Sequence, residues 1–314
     1  MVARITRHVA RYLLTIVLSS LLIFFLLRII PGDPAEIALG VNASEELLAL
    51  KRAELGTDRP LLTQYVEWIV GLVTGNFGTS LTSGADISPL VADRLQVSLV
   101  LVVCGLAVSL AVAIPLGTWA AYRSRHTDGH LITAASQLGI AIPSFLAGIL
   151  LVSLFAVKLG WLPANGWVPP AVNPTQFFLR LILPVCALSA VQGAIMTRYV
   201  RSAVLDILRE DFMRTARAAG KTHWQALTRH GLRNAALPVV TVAGLQLAGL
   251  IVGAVVIERV FVLPGLGSML LDAVINRDLP VVQTIVMILV AITLVVNMAV
   301  DIAYLLLDPR MRTR

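Results

Sequence analysis

Residues 206–238 read DILREDFMRTARAAGKTHWQALTRHGLRNAALP, a polar stretch held between two apolar ones. It carries Arg209, Arg214, Arg217, Lys221, Arg229 and Arg233. Ala216, Ala218 and Ala219 are strong helix formers with little bulk, so 212–219 predicts a short helix of small residues. Gly220 supplies its stop. Thr222-x-x-Gln225 is a capping-box pattern that restarts a helix, expected to run until Pro238 opens the next apolar segment. The expected geometry is a short helix, a sharp bend and a rigid helix. Force applied to the first piece would reach the last.

The surroundings of this stretch are membrane-like. Of 314 residues, 57% are hydrophobic and 14% charged, with a mean hydropathy of +0.84. Soluble domains carry about 25% charge. The missing charge is explained if most of the chain lies in lipid, where each spanning helix needs about 20 predominantly apolar residues. Six spans are predicted: Tyr12–Ile30, Leu95–Ala121, Leu131–Val157, Leu179–Thr197, Ala236–Ile257 and Val281–Leu307. They must be helical, because lipid offers the backbone no hydrogen-bond partner. The fold class is therefore an all-α membrane protein, divided into three parts. Residues 1–30 are the N-terminus and first span, 31–94 an outer loop, and 95–314 a five-helix core that includes the polar loop 198–235.

Charge sets the orientation. Arg4, Arg7, Arg11, Arg123, Arg125, Arg198, Arg201, the six cations quoted above, Arg310, Arg312 and Arg314 fall on one side. Lys51, Arg52, Arg59, Arg94, Lys158, Arg180, Arg259 and Arg277 fall on the other, and Arg28 sits at a span end. The positive-inside rule puts both termini in the cytoplasm. The same clustering beside spans explains the net charge of +7, and nucleic acid is not an expected partner. Basic residues ahead of the first apolar run resemble a secretion signal. Arg28 and Pro31-Gly32-Asp33-Pro34 stand where a cleavage site belongs, so the first span is expected to be retained. Cys104 and Cys186 lie inside spans and are expected to be buried, inert thiols.

The 31–94 loop holds nine acids against four cations. Ser44–Leu55 predicts a short helix, capped by Ser44 and stopped by Gly56. From Pro60 to Gly75, Leu62, Tyr65, Val66, Ile69, Val70 and Val73 recur at helical spacing. That amphipathic helix is expected to pack on the outer span ends, and its surface also suits an extracytoplasmic partner. Pro115, Pro143, Pro184 and Pro238 predict kinked or interrupted spans. Gly249 and Gly253 form a small-xxx-small face. Gln192, Gln246, Asn297 and Asp301 are candidate pathway or interhelical polar residues, Asn297 and Asp301 sharing one helix face. Glu258, Arg259, Pro264 and Gly265 open a short apolar outer segment that is a candidate outer gate.

Catalytic patterns are missing. The chain has no HExxH, no GxSxG and no clustered metal ligands. Gly220-Lys221-Thr222 copies the end of a Walker A motif, but Thr215 stands where its first glycine is required. The chain is expected to be non-catalytic, with no metal or cofactor of its own. An ion-driven carrier is disfavoured, because no span carries a charge at its centre.

The polar loop resembles the cytosolic loop of binding-protein-dependent ABC importer permeases, written Glu-Ala-Ala, three residues, Gly. Arg214, Thr215, Ala216, Arg217, Ala218, Ala219 and Gly220 occupy it here in the form Arg-Thr-Ala-Arg-Ala-x-Gly, similar to the dipeptide and oligopeptide branch. Pro31-Gly32-Asp33-Pro34, Leu55-Gly56-x-Asp58-Arg59-Pro60-Leu61 and Gly75-Asn76-Phe77-Gly78-Thr79-Ser80 resemble its B-type subunit. So do Ile142-Pro143-Ser144-Phe145, Leu263-Pro264-Gly265-Leu266-Gly267, Asn276-Arg277-Asp278 and Leu307-Asp308-Pro309-Arg310. The resemblance implies a type I (MetI-like) importer permease in a bacterial plasma membrane. It implies pairing with a second, C-type permease, two subunits that bind ATP and Mg, and an extracytoplasmic substrate-binding protein. Residues 214–220 would then contact the ATPase, and the cargo would be short peptides, with nickel or glutathione as alternatives.

Overall fold

The computed structural model describes residues 2–29, 31–40 and 42–307. Ile30, the tail arginines and the Asp308-Pro309-Arg310 end of the last motif lie outside the described residues, as does the side chain of Arg4. Helices follow one another as α1 (Val2–Ile29), α2 (Pro34–Leu39), α3 (Glu45–Leu55), α4 (Leu61–Thr74), α5 (Ile87–Tyr122), α6 (Thr127–Ala141) and α7 (Ser144–Leu151). After a π-helical turn, Val152–Lys158, come α8 (Pro174–Leu208), α9 (Asp211–Ala218) and α10 (His223–Ala226). A second π turn, Leu227–Gly231, leads into α11 (Leu232–Val260), then α12 (Leu266–Ile275) and α13 (Leu279–Leu307). No strand occurs among the described residues, only an isolated bridge between Thr79 and Asp86.

Five helices are long and apolar enough to cross a membrane, within α1, α5, α8, α11 and α13. The sixth expected span, Leu131–Val157, is a broken one: α6 and the helix from Ser144 to Lys158 meet at 99°. Pro143 explains the break. It disfavours helical dihedrals in the residue before it, and Ile142 sits at φ −87°, ψ 121°. The other three prolines do not interrupt their helices. α5 runs through Pro115, α8 through Pro184 and α11 through Pro238. The helix that carries span five therefore starts upstream of Pro238, at the π turn, while its apolar membrane-length stretch begins at Pro238.

The chain divides into two compact units, Ser98–Leu263 with 296–307, and Val2–Val97 with Pro264–Val295. In the first, α8 is the central helix, with α6, α7 and α11 packed on it. α5 approaches α8 closely at Gly117. A Cβ there would lie 2.7 Å from the Thr197 carbonyl oxygen and 2.7 Å from Val200 Cβ, so only glycine lets α5 meet α8 at this spacing. The small-xxx-small expectation on α11 holds at one end. A Cβ on Gly253 would meet Leu188 at 3.0 Å, whereas at Gly249 its nearest neighbour is Gln246 at 3.6 Å. The thiols depart from expectation as well: Cys104 is half-buried and Cys186 exposed.

In the second unit, the 31–94 segment is ordered by its caps. Asp33 caps α2 by accepting the Ala35 N–H (2.9 Å) and takes Arg52 Nε of α3 at 2.6 Å. Burial pushes the Asp33 carboxyl up, but the Ala35 N–H and the Arg52 guanidinium hold it below the usual carboxylate range. Ser44 caps α3 and Gly56 ends it in the left-handed region, both as the sequence predicts. α4 packs on α1 as expected, but through only part of its apolar stripe. Tyr65 and Trp68 stack on Phe24 of α1, and Tyr65 Oη meets Ser20 Oγ at 2.7 Å. Gln64 is buried, donating to the Thr57 and Arg59 carbonyls. Leu62 (74% exposed), Val66, Val70 and Val73 (83%) face away. The rest of the apolar stripe is not packed, because in lipid or against a partner an apolar face need not turn to the core.

The unit closes around Asp278. Its buried carboxylate accepts from Ser80 Oγ (2.5 Å), the Leu81 N–H (3.2 Å) and Thr82 Oγ1 (3.0 Å), fixing the turn ahead of α5 to the start of α13. Beside it Ile87, Val91, Leu266, Val281 and Ile285 form an apolar core. Asp278→Ala leaves these donors without an acceptor, at a cost of about 2–3 kcal/mol. The expected outcome is a lower unfolding temperature of the detergent-purified protein by fluorescence-detected thermal denaturation, with Asp278→Asn intermediate.

Candidate functional site

α9 stands on one side chain. Met213 is 1% exposed and packs into a core with Val200, Val204, Ala226 and Leu227. Ala216, one turn on, is partly buried against the same core. The rest of the expected contact surface faces out: Arg214, Thr215, Arg217, Ala218, Ala219 and Gly220 are all exposed. Six of the seven residues singled out in the sequence thus form one outward surface, with the seventh at its base. Arg214 pairs with Asp211 (3.3 Å), and both are largely solvated, so that pair adds little.

The bend is closed by the backbone. Ala219 N–H donates to Thr215 O, Gly220 N–H to Arg217 O and Lys221 N–H to Ala216 O. Gly220 lies at φ +83°, where an L side chain is strained, yet nothing lies within 4 Å of where its Cβ would be. The requirement for glycine here is conformational within this chain, not steric. The capping box then forms as the sequence predicts. Gln225 N–H donates to Thr222 Oγ1 (3.2 Å), and Thr222 N–H to Gln225 Oε1 (3.1 Å).

The restarted helix is not uniformly α-helical. It passes through the π turn at Leu227–Gly231, where a Cβ on Gly231 would crowd Leu227 at 2.8 Å and Ile207 at 3.3 Å. It is also clamped to α5. The Trp224 ring lies 5.1 Å from Tyr122 and 6.0 Å from Trp119, and His223 lies 5.7 Å from Tyr122. Trp119 Nε1 donates to Asp128 (3.0 Å), which also takes Arg123 Nε (3.0 Å). Burial, and then the charge of Arg217, push the His223 imidazole below its ordinary range. The sequence reading missed this clamp. Trp119 and Tyr122 sit one turn apart at a span end, which reads as an interfacial aromatic belt. Their partner lies about a hundred residues away, and spacing cannot reveal it.

Between α9 and the start of α11 lies a cavity of about 850 Å³. Its polar wall is Lys221, Arg229, His230, Arg233 and Asn234.

The other predicted residues fall elsewhere. Gln192 is buried in α8 with its amide nitrogen unpartnered, and Gln246, Asn297 and Asp301 are half-buried on α11 and α13. Glu258 and Arg259 belong to the last turn of α11. Glu258 is 1% exposed and accepts from Ser98 Oγ (2.6 Å), so it is part of a packed contact with α5. Pro264 and Gly265 precede α12, with Gly265 as its N-cap. No metal-ligand group occurs among the described residues.

Five long apolar helices and one broken one, with no strand among the described residues, give the architecture of a multi-pass all-α membrane protein. The described fold is similar to a subunit of the MetNI methionine ABC transporter in its inward-facing form, with a TM-score of 0.59 at 17% identity, covering 70% of this chain and 96% of that one. It is also similar to an amino acid ABC transporter, with a TM-score of 0.52 at 14% identity and 69% and 93% coverage. Residues 113–313 match the family described as "Binding-protein-dependent transport system inner membrane component", and residues 1–102 match its N-terminal counterpart. Similar full-length relatives include a Sinorhizobium fredii protein named "Probable peptide ABC transporter permease protein", 37% identical over 98% of both chains. The glutathione transport system permease protein GsiC of Salmonella choleraesuis is 38% identical over 95% of both. The chain belongs to the binding-protein-dependent transport system inner membrane components, the permease subunits of ABC transporters.

The clamp makes a structural prediction. Trp224→Ala removes two aromatic contacts worth about 0.5–1.5 kcal/mol each. Hydrogen–deuterium exchange over residues 222–235 is expected to accelerate while α8 is unchanged, and Trp224→Phe is expected to retain most of the protection.

Proposed function

We propose that this chain is the B-type permease half of an ATP-driven importer for short peptides. It pairs with a C-type permease, rests on two ATP-binding subunits and receives cargo from an extracytoplasmic binding protein. ATP and Mg are bound by the partner subunits. Both termini and the 198–235 loop are cytoplasmic, and the 31–94 segment with α2, α3 and α4 lies outside. Gln192, Gln246, Asn297 and Asp301 are offered as pathway or interhelical polar positions, and 258–265 as the outer gate.

One observation carries this reading. α9 presents a small-residue surface whose base is anchored by Met213, so its exposed face suits a partner and its buried face suits transmission. ATP-driven closure of the partner subunits moves α9, the Trp224 clamp and Met213 carry that motion to α5, α8 and α11, and the pathway alternates between its two sides. The mechanism is the same for a glutathione cargo, which the relative in Salmonella choleraesuis favours. Glutathione is itself a short peptide derivative, so it lies within the proposed cargo class.

Gly220 separates a partner role from a folding role. Gly220→Asn accepts the left-handed conformation without much bulk, whereas Gly220→Trp adds backbone strain at φ +83° as well as bulk. In an assembled, reconstituted transporter, Gly220→Asn is expected to retain uptake. Gly220→Trp is expected to lose it by about tenfold or more, the scale of a clash of about 1.4 kcal/mol, while ATP hydrolysis continues. Normal uptake with Gly220→Trp would exclude the coupling role.

A further inference from the structure

The cavity between α9 and α11 is lined by side chains of two kinds. One set is Lys221, Arg229, His230 and Arg233. Lys221 Nζ lies 2.7 Å from His230 Nε2, which holds the ammonium at the wall. No acidic side chain lines the cavity, and no ion pair neutralises Lys221, Arg229 or Arg233 among the described residues. The other set is Phe212 and Ala216 of α9 and Ala219 at its end, beside Thr215, and, one to two turns along α11 from Arg233, Ala236 and Val240. The apolar membrane-crossing stretch of α11 begins at Pro238, so the cavity straddles the level at which this helix enters the apolar layer.

Several unpaired cations in one concavity favour an anion, and guanidinium pairs suit the oxygens of a phosphate in particular. A free anion needs only the cationic side chains. An apolar wall continuing down a membrane helix suits the chain of an amphiphile, and basic pockets at span ends are suited to lipid headgroups. The volume, about 850 Å³, lies within the range of small-molecule sites. We propose that this cavity is a phosphate-binding site whose ligand is the headgroup of an anionic phospholipid, held by Arg229, Arg233 and Lys221 with its acyl chain along Ala236 and Val240. The bound lipid joins α9 to the root of α11. The activity of the transporter then depends on anionic lipid.

The proposal rests on the bend lying at the membrane boundary, and lipid binding does not require that α9 couple to an ATPase. The test is therefore a binding measurement. The complete purified transporter is titrated with phosphatidylglycerol or phosphatidylcholine and bound lipid is read by native mass spectrometry. Phosphatidylglycerol is expected to be retained selectively. Its retention is expected to fall about thirtyfold in an Arg229→Gln/Arg233→Gln variant. It should persist with lysine at both positions and in Arg209→Gln, an exposed cation outside the cavity. Equal weakening by Arg209→Gln, or retention unchanged in the double variant, would overturn the site. Displacement of the lipid by inorganic phosphate, with no preference for phosphatidylglycerol, would uphold the phosphate chemistry and overturn the lipid as its source. Loss of the ATP-binding subunits from the double variant with lipid retention intact would assign these cations to a protein partner and overturn the proposal.

Discussion

The burial of Met213 is the contact on which the exposed end of the first unit depends. α9 has eight residues, too few to be stable as a free helix in water. It persists because one side chain inserts between α8 and the α10–α11 segment, in a core closed by Val200, Val204, Ala226 and Leu227. That insertion, with Ala216 partly buried beside it, leaves the other residues of α9 exposed. It also makes the helix a rigid attachment on the bundle. The Gly220 bend, the Thr222 capping box and the Trp224 clamp then fix the return path of the chain to α11.

Much of this was legible in the sequence where local chemistry decides. The Ser44 and Gly56 caps, the Gly220 stop and the Thr222–Gln225 box are made by neighbouring residues, so spacing suffices to find them. Apolar runs long enough to cross a membrane announce themselves for the same reason. The broken span was half legible. Pro143 marks an interruption, but Pro115, Pro184 and Pro238 look the same in sequence and stay within continuous helices. What separates them is the conformation of the preceding residue, which the surrounding packing determines.

The rest was hidden for two physical reasons. Contacts between distant residues carry no periodic signal: the Asp278 carboxylate meets Ser80, Leu81 and Thr82, and Glu258 meets Ser98, across most of the chain. Apolar patterning also loses its usual meaning beside lipid. On α4 the stripe at Leu62, Val66, Val70 and Val73 is exposed while Gln64 is buried, the reverse of a helix in water. The candidate contact surface was found through its order of small residues, glycine and cap. The clamp that gives it a second connection, to α5, was not.

The most direct test of the account places a cysteine at Ala218, on the exposed face of α9, in a chain whose Cys104 and Cys186 are replaced by serine. A second chain carries the cysteine at Glu54 of α3, on the segment assigned to the opposite side. Bifunctional cross-linking in the assembled transporter is predicted to join residue 218 to an ATP-binding subunit and to leave residue 54 unjoined to it. Cross-linking of an ATP-binding subunit to residue 54 and not to residue 218 would contradict both the topology and the role assigned to α9.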